Sequence, residues 1–237
     1  MALDPNSLKP YSQLPLEFDH RPSLSGEDFL VTDSNRNAVA WLDKWPDWPS
    51  PALAVHGPAG CGKTHLSKVF MARSGAREMS LASLADTDLP QLLESARAFI
   101  IENADTALTP GLEVNLLHFY NLARETDRTL LFTARQAPSR WKVGLKDLRS
   151  RLNAVTAVAI GEPDDALIGA LLVKLFADRQ LRIEPDVLPF MVSRMERSFE
   201  AARQLVARAD EMAMAERRNI TLPLIRRVLQ QSEHSTQ

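Results

Sequence analysis

Basic excess is missing from this chain: 28 Lys and Arg stand against 30 Asp and Glu, a formal net charge of -2 over 237 residues. Proteins that grip nucleic acid along its phosphates need a broad positive surface, so that class is disfavoured and only a local patch stays open. Cysteine is nearly absent too. The single thiol, Cys61, cannot close an internal disulfide, which fits a reducing compartment. No apolar run approaches about 18 residues, and the opening MALDPNSLKP lacks a basic region followed by an apolar stretch. The chain is therefore expected to be cytoplasmic, neither exported nor membrane-bound. The five histidines, at 20, 56, 65, 118 and 234, show no metal-ligand spacing, and no repeat or low-complexity block is present.

What remains is ordinary globular material, 45% hydrophobic and 24% charged, with enough length for one full core and a small second unit. Residues 1–28 are rich in Pro, Ser and Asp without periodicity and are expected to form a flexible tail, interrupted by one short apolar cluster. From Phe29 onward, short apolar runs alternate with amphipathic stretches. Strands are expected at Ala52 to His56, Glu78 to Leu81, Phe99 to Glu102, Leu130 to Thr133 and Val155 to Ile160. Helices are expected near Lys63 to Ala72, Leu89 to Ala98, Leu112 to Glu125 and Lys146 to Leu152. Repeated βα units imply an α/β core with a parallel sheet flanked by helices over residues 29–161. After Gly161, Glu162 and Pro163 the pattern turns wholly helical: Asp164 to Asp178, Asp186 to Arg194, Ser198 to Glu216 and Leu222 to Gln230. Residues 162–237 are accordingly expected to be a small all-helical lid, the arrangement of AAA+ proteins.

The strongest chemical signal is the run Gly57, Pro58, Ala59, Gly60, Cys61, Gly62, Lys63 and Thr64. It fits G-x-x-x-x-G-K-[ST] directly after an apolar strand and directly before a helix, the context a P-loop requires. Glycines let the backbone wrap a phosphate with its N–H groups, and the helix N-terminus adds partial positive charge behind them. Lys63 is expected to reach the β- and γ-phosphates and Thr64 to bind Mg²⁺, making ATP or ADP with Mg²⁺ the expected ligand. Cys61 reads as a small spacer rather than a redox centre. His65, the next residue, is expected on the helix surface beside the cofactor.

P-loop ATPases usually end a later strand with an Asp that helps hold Mg²⁺, often followed by an acid that activates water. Here the strand runs from Ala98 to Glu102 and Asn103. Glu102 can support the metal. The neutral amide of Asn103 cannot accept the water's proton, so a general-base contribution of about 10²- to 10⁴-fold should be missing. Asp105 is the carboxylate that could stand in. Weak intrinsic hydrolysis is expected.

In the order of these motifs the chain resembles the DnaA-related AAA+ ATPase family, and within it the shortened Hda group, over about residues 24–230. The matching stretches are Phe29 to Val31 with Ser34 and Asn35, the P-loop, Ile100 to Asn103, Leu131 to Pro138, and Asp147 to Leu152. The resemblance implies that Thr133 is a first-sensor candidate, although a buried threonine is often just bonded to nearby backbone. It implies that Arg151 is an arginine finger entering a neighbour's nucleotide site, with Arg149 as the nearby decoy. Where DnaA has a lid sensor arginine, this chain has Glu200, and either Arg197 or Arg203, each three residues away on the same helical face, could substitute. That departure favours an ADP-holding form.

Two further features complete the expectation. The chain lacks the R-D-H-T-T-V-like DNA-reading signature of DnaA, and Arg217, Arg218, Arg226 and Arg227 read best as solvated helix faces. The segment from Gln13 through Leu14, Leu16 and Phe18 resembles the Q-L-x-L-x-[LF] peptide that docks bacterial proteins on the sliding clamp of DNA polymerase III, as Hda-like proteins do. The resemblance thus implies a clamp-tethered protein that promotes hydrolysis of DnaA-bound ATP and reaches DNA only indirectly. Self-association stays open. The alternatives are an autonomous ATPase loader and a non-catalytic adaptor that tethers DnaA to the clamp.

Overall fold

Pairing outside the main sheet begins earlier than expected. The computed structural model describes residues 20–21, 29–106, 108–216 and 218–234, with side chains described between residues 31 and 231. Strands β1 (His20–Arg21) and β2 (Phe29–Leu30) pair antiparallel, with His20 opposite Leu30 and Arg21 opposite Phe29. A strand of two residues is too short to show period-two alternation, so this pair left no sequence signal inside the expected tail.

Five strands form the main sheet: β3 (Ala52–His56), β4 (Arg77–Met79), β5 (Ala98–Ile101), β6 (Thr129–Ala134) and β7 (Thr156–Ala159). Every pairing is parallel and the order is β4-β5-β6-β3-β7. Helices α1 (Arg36–Asp43), α2 (Lys63–Ser74), α3 (Leu89–Glu94), α4 (Pro110–Glu125) and α5 (Lys146–Asn153) cover it. The strands are apolar throughout because both faces are buried. Ala52, Ala54, Phe99, Ile101, Leu130 and Phe132 pack toward Leu116 and Phe119 of α4 and Leu148 and Leu152 of α5. The alternate residues Leu53, Val55, Ile100 and Leu131 pack toward Ala38 and Leu42 of α1 and Leu66 and Phe70 of α2.

Local chemistry sets the helix starts. Asp88 accepts from Gln91 N–H, Thr109 from Leu112 N–H and Asp164 from Leu167 N–H, each side chain satisfying a donor that the first helical turn leaves free. Helix α3 is shorter than expected, ending at Glu94 rather than Ala98. Ala98 belongs to β5, opposite Thr129, and Ser95 turns back to donate to the Leu92 carbonyl at 2.6 Å.

The lid holds α6 (Asp165–Asp178), α7 (Val187–Val192), α8 (Phe199–Glu216) and α9 (Leu222–His234) around its own core of Leu172, Phe176, Met191, Val206 and Ile225. Residues Ile183 and Ile220 form an isolated parallel bridge that ties the approach to α7 to the approach to α9. Among the described residues no helix is long and apolar enough to cross a membrane.

Phe119 is wholly buried and meets Phe99 edge to face at 5.5 Å between ring centroids. Phe119→Ala should therefore lower stability by about 3–5 kcal/mol, seen as an earlier urea midpoint at unchanged slope.

Candidate nucleotide-binding site

Strand β3 delivers its carboxyl end to the loop of Gly57 through Thr64, and Gly57 N–H donates to the Ala134 carbonyl of the neighbouring strand at 3.2 Å. A Cβ at position 57 would lie 2.4 Å from the Ile160 carbonyl oxygen, so only glycine passes there. Gly62, at the N-cap of α2, has φ 101°, a left-handed conformation that side chains resist. Such a loop, followed by a twelve-residue helix, is built to present N–H donors to a phosphate.

Lys63 is 8% exposed, and its ammonium donates to the carbonyls of Gly57 at 2.8 Å and Pro58 at 2.7 Å, with Cys61 Sγ at 3.8 Å. The loop's own oxygens thus hold the cation at its mouth. Thr64 Oγ1 donates to Glu102 Oε2 at 2.9 Å, across from the end of β5. A hydroxyl and a carboxylate side by side, next to a phosphate cradle, are the hard oxygen donors that suit Mg²⁺. The residues therefore fit a magnesium nucleotide. His65 lies half-buried in the first turn of α2.

Past Glu102 the chain turns sharply. Asn103 takes φ 53°, tolerable for asparagine, and its N–H donates to Thr133 Oγ1 at 3.1 Å, while Ala104 N–H donates to the Thr133 carbonyl at 2.8 Å. Thr133 is 1% exposed, and its hydroxyl supports the turn that aims Glu102 and Asn103. One oxygen of Asp105 is engaged: Oδ2 accepts the N–H groups of Arg135 at 2.8 Å and Gln136 at 3.1 Å, which fixes the loop after β6. Its Oδ1 is buried with no hydrogen-bond partner among the described residues.

Two titrations report the field around the loop. Burial first, then the charges of Arg140 and Lys63, push the His56 imidazole below its ordinary value, so it stays neutral near neutral pH. Burial pushes the Cys61 thiol up, outweighing the opposite pull of Lys63.

The lid closes on the loop through α8. Phe199 N–H donates to the Gly60 carbonyl at 3.0 Å. A Cβ on Gly60, whose φ is 70°, would lie 2.7 Å from Ser198 Cβ, and one on Gly62 would lie 3.3 Å from the Phe199 ring. This contact had no sequence signal, because it joins segments far apart in the chain.

Helix α8 begins at Phe199 with Ser198 capping the Ala201 N–H, so Arg197 lies before the helix. The expectation that Arg197 and Arg203 flank Glu200 on one helical face is corrected accordingly. Arg197 pairs with Asp165 of α6 at 2.8 and 3.2 Å, Glu200 accepts from Gln204, and exposed Arg203 has no ion-pair partner among the described residues.

Helix α5 carries both finger candidates. Arg149 donates through Nε to the Val143 carbonyl at 3.0 Å and through Nη2 to the same oxygen. Arg151, half-buried, makes no side-chain hydrogen bond or ion pair among the described residues. Gln13, Leu14, Leu16 and Phe18 lie outside the described residues.

Two outcomes follow from this geometry. Thr64→Ala should weaken ADP binding in Mg²⁺ by roughly tenfold, the loss of one charge-assisted contact, and the difference from wild type should vanish in EDTA; fluorescent-ADP titration measures both. Cys61 should alkylate slowly at neutral pH and faster as pH rises, with mass spectrometry following the adduct.

Residues 165–229 match the family model described as Hda, lid domain. The chain is 24% identical over 201 residues to the chromosomal replication initiator protein DnaA of Borrelia garinii subsp. bavariensis, covering 74% of this chain but only 42% of that protein. Among solved structures, domain III of the Thermotoga maritima replication initiation protein DnaA superposes with TM-score 0.74 at 16% identity, over 90% of this chain and 98% of that one. AMPPCP-bound DnaA from Aquifex aeolicus superposes with TM-score 0.63 at 15% identity, over 78% of this chain and 63% of that one. The chain thus joins a segment that fits the Hda lid model to a core with the fold of DnaA domain III, and it spans less than half the length of the curated DnaA relatives that it matches.

Proposed function

We propose that the chain is a negative regulator of replication initiation that promotes hydrolysis of the ATP held by DnaA. Arg151 enters the neighbour's nucleotide site, where a fixed guanidinium stabilises charge developing on the transferred phosphoryl group. The chain's own site binds ADP or ATP with Mg²⁺ through the P-loop, Thr64 and Glu102, and turns it over slowly because Asn103 cannot act as a base. Its nucleotide acts mainly as a structural ligand that stabilises the fold by mass action. The peptide from Gln13 to Phe18 docks the clamp, which brings the chain to DnaA on DNA.

The observation that carries this reading is the unclaimed guanidinium of Arg151, two residues from an Arg149 already spent on its own chain. A finger has to be free to leave its subunit, and of these two only Arg151 is. In assays of DnaA-bound ATP with clamp-loaded DNA, Arg151→Ala should return hydrolysis to the basal rate of DnaA, removing a contribution of about 10³- to 10⁵-fold. Gln13→Ala should lose stimulation only where clamp is needed. Full stimulation by Arg151→Ala would leave the adaptor reading in its place, and brisk ATP turnover by the chain alone would favour the autonomous ATPase.

A further inference from the structure

We propose that Glu113, a residue of α4 outside every motif above, is the positioning residue for Arg151: it grips the backbone entering α5 and so fixes where the guanidinium emerges. The inference rests on the finger reading of Arg151.

Among the described residues Glu113 is the only buried carboxylate, 5% exposed. Its oxygens accept Gly144 N–H at 2.9 and 3.1 Å and Leu145 N–H at 2.7 Å. Leu145 is the N-cap of α5 and has no capping side chain of its own. A carboxylate from another helix thus holds the entry to α5, with the favourable sign for a helix N-terminus. Arg149 of α5 itself takes the carbonyl of Val143. The stretch Val143 to Leu145 is therefore clamped on its donors by one helix and on its acceptor by the other.

Leu148 and Leu152, both at most 1% exposed, set the rotation of α5 about its axis. What packing of two leucines leaves soft is sliding and tilt, because hydrophobic contact has no direction. Directional charge-assisted bonds at the first turn remove that freedom. Arg151 leaves the helix about a turn and a half later, so its position is inherited from residues it does not touch. An apolar side chain at position 113 would fill the space without desolvating a charge. The buried charge makes sense as an alignment device.

The test is DnaA-bound ATP hydrolysis on clamp-loaded DNA with the full chain titrated, comparing wild type, E113Q, R149M, R151A and E113Q/R151A. E113Q keeps the volume but sets an amide N–H₂ against N–H donors, and R149M removes an exposed guanidinium. Both should lower the maximal rate by about tenfold to 10²-fold, the cost of a misplaced group, with half-saturating concentration and ADP affinity within about twofold of wild type. E113Q should cost nothing further in the R151A background. Full maximal rates for E113Q and R149M beside an inactive R151A overturn the role of Glu113 and leave the finger standing. So does a raised half-saturating concentration at unchanged maximal rate, or a further loss on adding E113Q to R151A. A fully active R151A overturns the finger itself. Should E113Q fail to fold, E113D decides: it keeps the buried charge but shortens its reach to Gly144 and Leu145 by one methylene, and a full maximal rate for folded E113D overturns the role of Glu113.

Discussion

The parallel register of β3, β6 and β5 is the constraint on which the site depends. Val55 lies beside Thr133 and His56 beside Ala134, while Ile101 lies beside Phe132. Three strands therefore end at nearly one level, and the chain leaves each within reach of the others. The P-loop departs from β3, Glu102 and Asn103 from β5, and Thr133 stands between them. That arrangement places Thr64 against Glu102 although 38 residues separate them. In open α/β sheets ligands bind beyond the carboxyl ends of the strands for this reason.

The lid is not a separate appendage to that site. Its helix α8 starts on the P-loop itself, with the Phe199 N–H on Gly60 and the Phe199 ring over Gly62. Glycines at 60 and 62 serve two purposes at once, left-handed turns and room for the lid. A nucleotide in the cradle would meet groups from both units.

Arginines show how far neighbours decide the role of identical side chains. Arg149 is spent on Val143 and Arg197 on Asp165, whereas Arg151 and Arg203 have no ion-pair partner among the described residues. The pair at 226 and 227 divides likewise: Arg227 meets Glu216 at 2.7 Å, and Arg226 lies 5.4 Å from the Phe190 ring centroid, with Arg194 at 4.2 Å from the same ring. These surface contacts fit solvated faces better than a phosphate-binding stripe, because exposed ion pairs are screened by solvent and contribute little.

Sequence alone determined what short-range rules control. The P-loop followed from eight consecutive residues, the sheet from apolar runs too short for helices, and the lid from an unbroken helical period after Pro163. Asn103 in place of an acid was equally plain, since chemistry at one position needs no fold to be read. Tertiary structure decided everything that joins distant positions: the β1–β2 pair, the lid on the loop, the partners that separate Arg149 from Arg151, and the carboxylate of Glu113 on the entry to α5. Periodicity encodes which face of an element is buried, but not which distant backbone group a side chain will meet. Hydrogen bonds to such groups leave no pattern along the chain, because their geometry exists only after the core has closed.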